Sequence, residues 1–337
     1  MPLRSSRILL LMVLLATGAA AQAPDSTGVP GVPAADEAAP VPSVLDSAAV
    51  RRFHPTRFYA GLGIAIVADA AVMAGLAGLW YTGERVPFHW FSESGDYGSG
   101  IPSYGWLDDW YTDAQMDKGG HFVTTWQLTR LAGGYARWSG LSNRRAALAG
   151  ALFATAFQTQ IELLDGFDPL YGASRTDLLA NVAGAAVGYV QVAHPDRTDW
   201  FTAKVSYHPT RFYDRDLTPY PPLTYVGNGI KDYEGLTYWL VVRPARMGAP
   251  AWWPRWLGVS VGYGADGLTG FAPVCCESDP NVRRELYLSL DFDVLESERH
   301  RLPRVLRPVA SVLSVVRFPL PAYEIGGRGR HWHWLYY

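Results

Sequence analysis

Three short stretches place ionisable side chains inside otherwise apolar segments, and they are where chemistry would be sought. Met116-Asp117-Lys118-Gly119-Gly120-His121-Phe122 puts Asp117 and His121 four residues apart, on one helix face. Gln158, Glu162 and Asp165 follow an i, i+4, i+7 pattern, again one face. Asp177, Asn181, Gly184 and Gly188 repeat that geometry in a third segment, which Ser174 precedes. Buried ionisable groups are costly unless partnered. Three helices with one polar stripe each satisfy those stripes by turning them towards one another. The spacing predicts a polar cluster of Asp117, His121, Glu162, Asp165, Ser174, Asp177 and Asn181 inside a helical bundle, with Lys118 beside it.

In such a cluster His121 can serve as general base or metal ligand, and Glu162, Asp165 and Asp177 as acid/base or metal-binding carboxylates. The candidate metal ligands are His121, Glu162 and Asp165; one histidine with carboxylates suits a hard divalent ion better than structural zinc. Lys118 can neutralise a carboxylate or a substrate phosphate, although a helix-surface lysine is the plainer reading. The His-x-x-x-His zinc pattern, the P-loop and Gly-x-Ser-x-Gly are all absent. The sequence therefore specifies neither a reaction nor a cofactor.

The elements that must carry these residues are Ala/Gly-rich helices. Helices are expected from Asp117 to about Trp138, from Arg145 to Leu164, and from Ser174 to about Ala193, preceded by an apolar run from Ala60 to Tyr81. That run suits either a membrane crossing or a buried helix. Asp117 in a first turn favours the helix dipole, and Ser174 with Asp177 three residues on resembles a capping box. Between Thr82 and Gln115 lies an aromatic, acidic loop able to overhang the cluster. Residues 1–21 read as a secretory signal, with Arg4 and Arg7 before an apolar stretch and Ala19-Ala20-Ala21 at the cleavage site. Residues 22–50, rich in Pro, Ala and Gly, read as a disordered linker. Arginines flanking the helices fit a four-span bundle with a cytoplasmic N-terminus, which a cleaved signal would contradict.

The pattern Asp-Lys-x-x-His-Phe, then Glu-x-x-Asp-Gly-Phe, then Gly-x-Ser-x-x-Asp-x-x-x-Asn-x-x-Gly resembles the YfiM-like family of predicted bacterial envelope lipoproteins, which has no assigned function. Trp80-Tyr81, Phe88-His89-Trp90-Phe91, Lys231 to Trp239 and Gly262 to Gly267 resemble its longer members. The helical core alone is also similar to VanZ-like membrane proteins. The resemblance implies an envelope location and no activity. No cysteine follows the signal, so it does not carry lipid attachment to this chain.

From Thr202 onward the pattern changes to period two. Strands are expected at Thr202–His208, Thr237–Arg243, Trp256–Gly264, Arg284–Val294, Leu320–Ile325 and His331–Tyr337, with a helix between Val305 and Val316. Six strands fall short of the usual outer-membrane minimum of about 8, which favours an antiparallel sheet packed on the helices. The fold class is therefore α+β: a bundle of about four helices over 51–198, then a β-rich region over 199–337.

A net charge of −2 leaves no basic footprint for nucleic acid. The 13 Trp and 19 Tyr suit either an aromatic core or a membrane interface. Cys275 and Cys276 are adjacent, a poor disulfide framework. His54-Pro55-Thr56-Arg57-Phe58-Tyr59 recurs at 208–213 without wider self-similarity. Three readings stand at this level. The chain is an exported, membrane-associated envelope protein with a structural or binding role towards a membrane or envelope component. Alternatively it is a hydrolase or transferase acting on a lipid or cell-wall substrate, or a small-ligand binder using the same cluster.

Overall fold

The computed structural model describes residues 52–81, 83–93, 105–107, 109–169, 171–208, 210, 232–268, 282–297, 299–303, 306–326 and 329–336. The expected signal, linker, cysteine pair and most of the second hexapeptide copy lie outside the described residues. What is described is α+β: helices first, then one antiparallel sheet.

Four long helices form the first part: α1 (Pro55–Trp80), α2 (Met116–Trp138), α3 (Asn143–Asp165) and α4 (Arg175–Ala193). Pro55 stands in the first turn of α1, where its missing N–H costs nothing. Helices α2, α3 and α4 approach closely because glycines line their contacts. A Cβ on Gly184 would collide with the Phe122 carbonyl, one on Gly188 would meet Thr129 at 2.6 Å, and one on Gly150 would strike Thr129 and Gly133 backbone. Backbone contact of this kind leaves no room for water and brings the polar stripes within reach of one another. Ala136, Ala146, Ala147, Val192 and Ala193 close the far end of the bundle. Helix α1 stands apart: Ile64, Ile66 and Val67 are exposed.

The sheet is a six-stranded meander in chain order: β1 (Phe201–Tyr207), β2 (Leu236–Val242), β3 (Leu257–Asp266), β4 (Arg283–Phe292), β5 (Leu320–Gly326) and β6 (Gly329–Tyr336). The helix α5 (Arg307–Leu313), shorter than expected, carries Pro308 in its first turn. The sheet is strongly curled. Flat strands four apart would be separated by roughly 19 Å, yet the Tyr336 hydroxyl of β6 lies 2.9 Å from Thr237 Oγ1 of β2. The free edge of β1 is met by the segment that enters β5: Val205 N–H donates to the Val315 carbonyl at 2.8 Å, and Arg317 N–H to the Val205 carbonyl at 2.9 Å.

Helix α2 rests on the sheet. Ala203 of β1 joins Val123 and Trp126, and the ring of Tyr238 of β2 lies where a Cβ on Gly119 would be, 2.7 Å away. The Gly119-Gly120 pair between Lys118 and His121 is thus the space into which the sheet inserts a tyrosine.

Candidate functional site

Helix α2 enters the site through an unusual turn. Asp113, Ala114 and Gln115 have φ of 48°, 49° and 61°, all left-handed and none a glycine. Such backbone is strained and persists only when its surroundings hold it. Here the sheet does so: the Tyr263 hydroxyl donates to the Ala114 carbonyl at 2.5 Å, and Arg284 donates to Gln115 Oε1 at 2.9 Å. Asp109, just before the turn, is directed into the bundle.

Lys118 stands at the centre of the cluster. It is 5% exposed, not a surface lysine. Its ammonium lies 2.6 Å from Asp109 Oδ2, 2.9 Å from Asp177 Oδ1 and 3.2 Å from Asp117 Oδ2. Burial alone would lower its pKa; Asp177, Asp109 and Asp117 outweigh that and hold it well above the ordinary lysine value. Burial, and then Asp109, raise Asp177 well above the ordinary carboxylate range. Burial would also raise Asp117, yet Lys118, His121 and the Tyr233 hydroxyl hold it well below that range.

Around this ion group runs a hydrogen-bonded shell. Asp109 Oδ1 accepts from Ser174 Oγ at 2.6 Å and from Thr176 Oγ1 at 2.7 Å. Ser174 Oγ accepts from Asp177 N–H at 3.0 Å, which is the expected N-cap of α4. Ser174 N–H donates to Glu162 Oε2 at 2.8 Å. Asp117 Oδ1 accepts from Tyr233 at 2.5 Å.

His121 occupies the adjoining compartment. Its Nδ1 lies 3.1 Å from Asn181 Oδ1 and 3.4 Å from Gln158 Nε2. With Nδ1 protonated towards Asn181, Nε2 offers a lone pair to a space bounded by Glu162 Oε1 at 3.5 Å and Asp117 Oδ1 at 3.7 Å. Both distances exceed a hydrogen bond. Burial holds His121 below its ordinary pKa of 6.5. Glu162 Oε1 and Asn181 Nδ2 are buried without a hydrogen-bond partner.

The structure thus brings Asp117, Lys118, His121, Glu162, Ser174, Asp177 and Asn181 together. Asp165 is placed differently: it accepts from Tyr81 at 2.6 Å, tying the end of α1 to the end of α3. The grouping with metal-ligand proximity differs from the expected His121, Glu162 and Asp165. Among the described residues it is Asp117, His121 and Asp177, whose ligand atoms lie within 4.8 Å of one another. Sequence reasoning overlooked Asp109, which nothing distinguishes from its acidic neighbours, and Thr125, which donates to Asn181 Oδ1 at 3.1 Å. Tyr233 carried a signal, since the motif around it marks the family resemblance, but nothing connected that motif to α2.

The fold and site describe a helical bundle with a buried ion group, capped by a curled antiparallel sheet. Residues 103–193 match the family model described as predicted periplasmic lipoprotein (DUF2279). The match covers roughly a quarter of the chain, from the loop carrying Asp109 to the end of α4. On this match the chain is an exported, envelope-associated protein. No curated protein and no solved structure matches it.

Proposed function

We propose that the chain is a membrane-associated envelope protein whose polar cluster is a core organised around the buried Lys118 ammonium, with a structural or binding role, akin to the YfiM-like lipoproteins. One observation carries this reading. The Lys118 ammonium stands within 2.6–3.2 Å of three carboxylates, the place a cation would otherwise take. A buried charge so surrounded fixes the register of α2 against α4 and against the Asp109 loop. Its removal leaves carboxylates buried and unpaired, at a cost of about 3–5 kcal/mol.

The lone pair of His121 favours a second reading, a divalent-cation site on Asp117, His121 and Asp177 supporting hydrolysis or group transfer on an envelope substrate. One experiment separates the two. Elemental analysis of the purified chain is combined with denaturation of wild type, Lys118→Met and His121→Ala. The lysine-centred core predicts no stoichiometric metal, no effect of chelator, and a loss of about 3–5 kcal/mol in Lys118→Met. A stoichiometric metal that disappears in a folded His121→Ala variant would replace that reading with the second.

A further inference from the structure

The sheet buries its charges on one face, beside the cluster of Trp239, Val241, Tyr287, Ala322 and Tyr336, and is apolar where it is exposed. One row crosses five strands on its convex side: Leu240, Val261, Leu288, Tyr323 and Trp332 are successive cross-strand partners. Along β4 the same face shows Leu286, Leu288, Leu290 and Phe292, each 40–48% exposed, and along β3 Val259 and Val261. The concave side holds the charges. Lys204 pairs with Asp291 and Asp293, Arg243 pairs with Asp293, and the Arg317 guanidinium lies 3.8 Å over the Trp239 ring. All five of these charged residues are at most 5% exposed.

A sheet with one face in water alternates the other way, apolar inward and polar outward. The observed alternation is that of strands whose outer medium is hydrocarbon. The rims agree. At one end of the convex face Ile325 pairs with Arg330, putting an arginine at that rim, where Arg284, partner of Ala265, is held by Gln115. At the other end Trp256 packs edge-on against Phe292 at 5.4 Å, and Trp334 is 79% exposed. Between Arg284 and Phe292 the outward positions of β4 carry no charge. Those eight steps span roughly 27 Å along the strand, comparable with the apolar band of about 25 Å on membrane barrels once strand tilt is allowed. Arg330 at one rim and tryptophans at the other suit headgroup and interface. Both β3 and β4 have 10 residues, within the range of about 9–11 for a tilted membrane strand.

We propose that the convex face from Val259 and Val261 of β3 to β6, beyond the part on which α2 and its entry turn rest, is a lipid-contacting surface, seated in acyl chains while the ion-paired concave side stays within the protein. The occupant is a bilayer, because the uncharged band and both rims match one. This rests on the membrane association proposed above but assigns it to the sheet, whereas the sequence pointed to the helices.

The test uses the full chain with Cys275 and Cys276 replaced by serine, and single cysteines at Leu286, Leu288, Leu290, Ser289 and Trp334, each spin-labelled and reconstituted into phosphatidylethanolamine/phosphatidylglycerol vesicles. On reconstitution, labels at 286, 288 and 290 should gain relaxation by oxygen and lose relaxation by a water-soluble nickel complex, whereas the label at 289 should respond to neither. Far-ultraviolet circular dichroism checks each variant, and agreement among the three leucine positions guards against one misfolded variant. Chain that floats with vesicles while these labels remain open to nickel would overturn the lipid-facing sheet and leave membrane association standing. Chain that fails to float would overturn both. Spin–spin broadening that grows with protein-to-lipid ratio, without oxygen gain, would make the face a contact between copies and also overturn it.

Discussion

At the scale of single residues, the cluster is an arrangement of protons as much as of atoms. Lys118 supplies one positive charge to Asp109, Asp117 and Asp177. Asp177 is raised and Asp117 lowered, so the carboxylates share the available charge unequally. His121, held below its ordinary value by burial, takes up its proton at lower pH in the folded protein than in the unfolded chain, which does so near pH 6.5. Below that pH the unfolded state binds more protons, so stability falls with acidification, by up to about 1.4 kcal/mol per pH unit for one group. Asp177 has the opposite sign: its folded value is raised, so it opposes folding as pH rises above the ordinary carboxylate range. His121→Gln isolates the histidine contribution. Denaturant midpoints between pH 7.5 and 5.5 should fall less in the variant than in wild type. An unchanged slope would mean that His121 takes up its proton equally in the folded and unfolded states. The residue types of this site were legible in sequence because each stands at helical spacing within an apolar segment. The central role of Asp109 was not, since it is set by a left-handed turn at Asp113–Gln115 that the sheet holds in place.

The elements were read more completely than the contacts between them. Ser174 does cap α4, and Gly184 and Gly188 do face a neighbouring helix. Local propensity and spacing carry such information without the tertiary structure. The partner of each small residue is a tertiary fact, and it decides what a substitution does. Gly184→Ala would gain about 1 kcal/mol of helix propensity, but its Cβ collides with the Phe122 carbonyl, a backbone atom that cannot swing aside. A net loss of about 1–3 kcal/mol is expected. Gly134→Ala, one helix away, meets nothing within 4 Å and should gain up to about 1 kcal/mol. Urea denaturation of the two variants beside wild type checks the pair. Equal effects would show that α2 and α4 are not in backbone contact. The Lys231–Gly235 motif illustrates the same limit. A turn at Gly235 was evident, and Asp232 does accept from the Gly235 N–H at 3.2 Å. That Tyr233 would reach Asp117 across more than a hundred residues was not.

For the whole molecule, the question is which surface faces which medium. Helices Pro55–Gly78 and Asn143–Asp165 are long and apolar enough to cross a membrane. The two differ in burial: 6% of the apolar window is buried in the first and 28% in the second. Helix α1 is held to the bundle by Phe58, which packs on the cluster of Ala136 and Val192, and by a few polar contacts. The Tyr135 hydroxyl donates to the Arg57 carbonyl at 2.7 Å, and Gln160 donates to Asp69 at 3.0 Å. Asp69, which interrupts the apolar run, thereby finds the partner it requires. If hydrocarbon contacts only α1, deleting residues 55–80 should abolish flotation with vesicles. If the convex sheet face is also in lipid, the deletion variant should still float. Its remaining fold should lose only about 2 kcal/mol, since each half-exposed hydrogen bond contributes about 1 kcal/mol and little apolar surface of α1 is buried. Flotation of the deletion variant, read together with its denaturation midpoint, tests both statements. A soluble, folded deletion variant would assign membrane contact to α1 alone. The inverted alternation of Leu286, Leu288 and Leu290 against Tyr287 and Asp291 argues for the other outcome, because a sheet facing water on its convex side would place those leucines inside and the aspartate out.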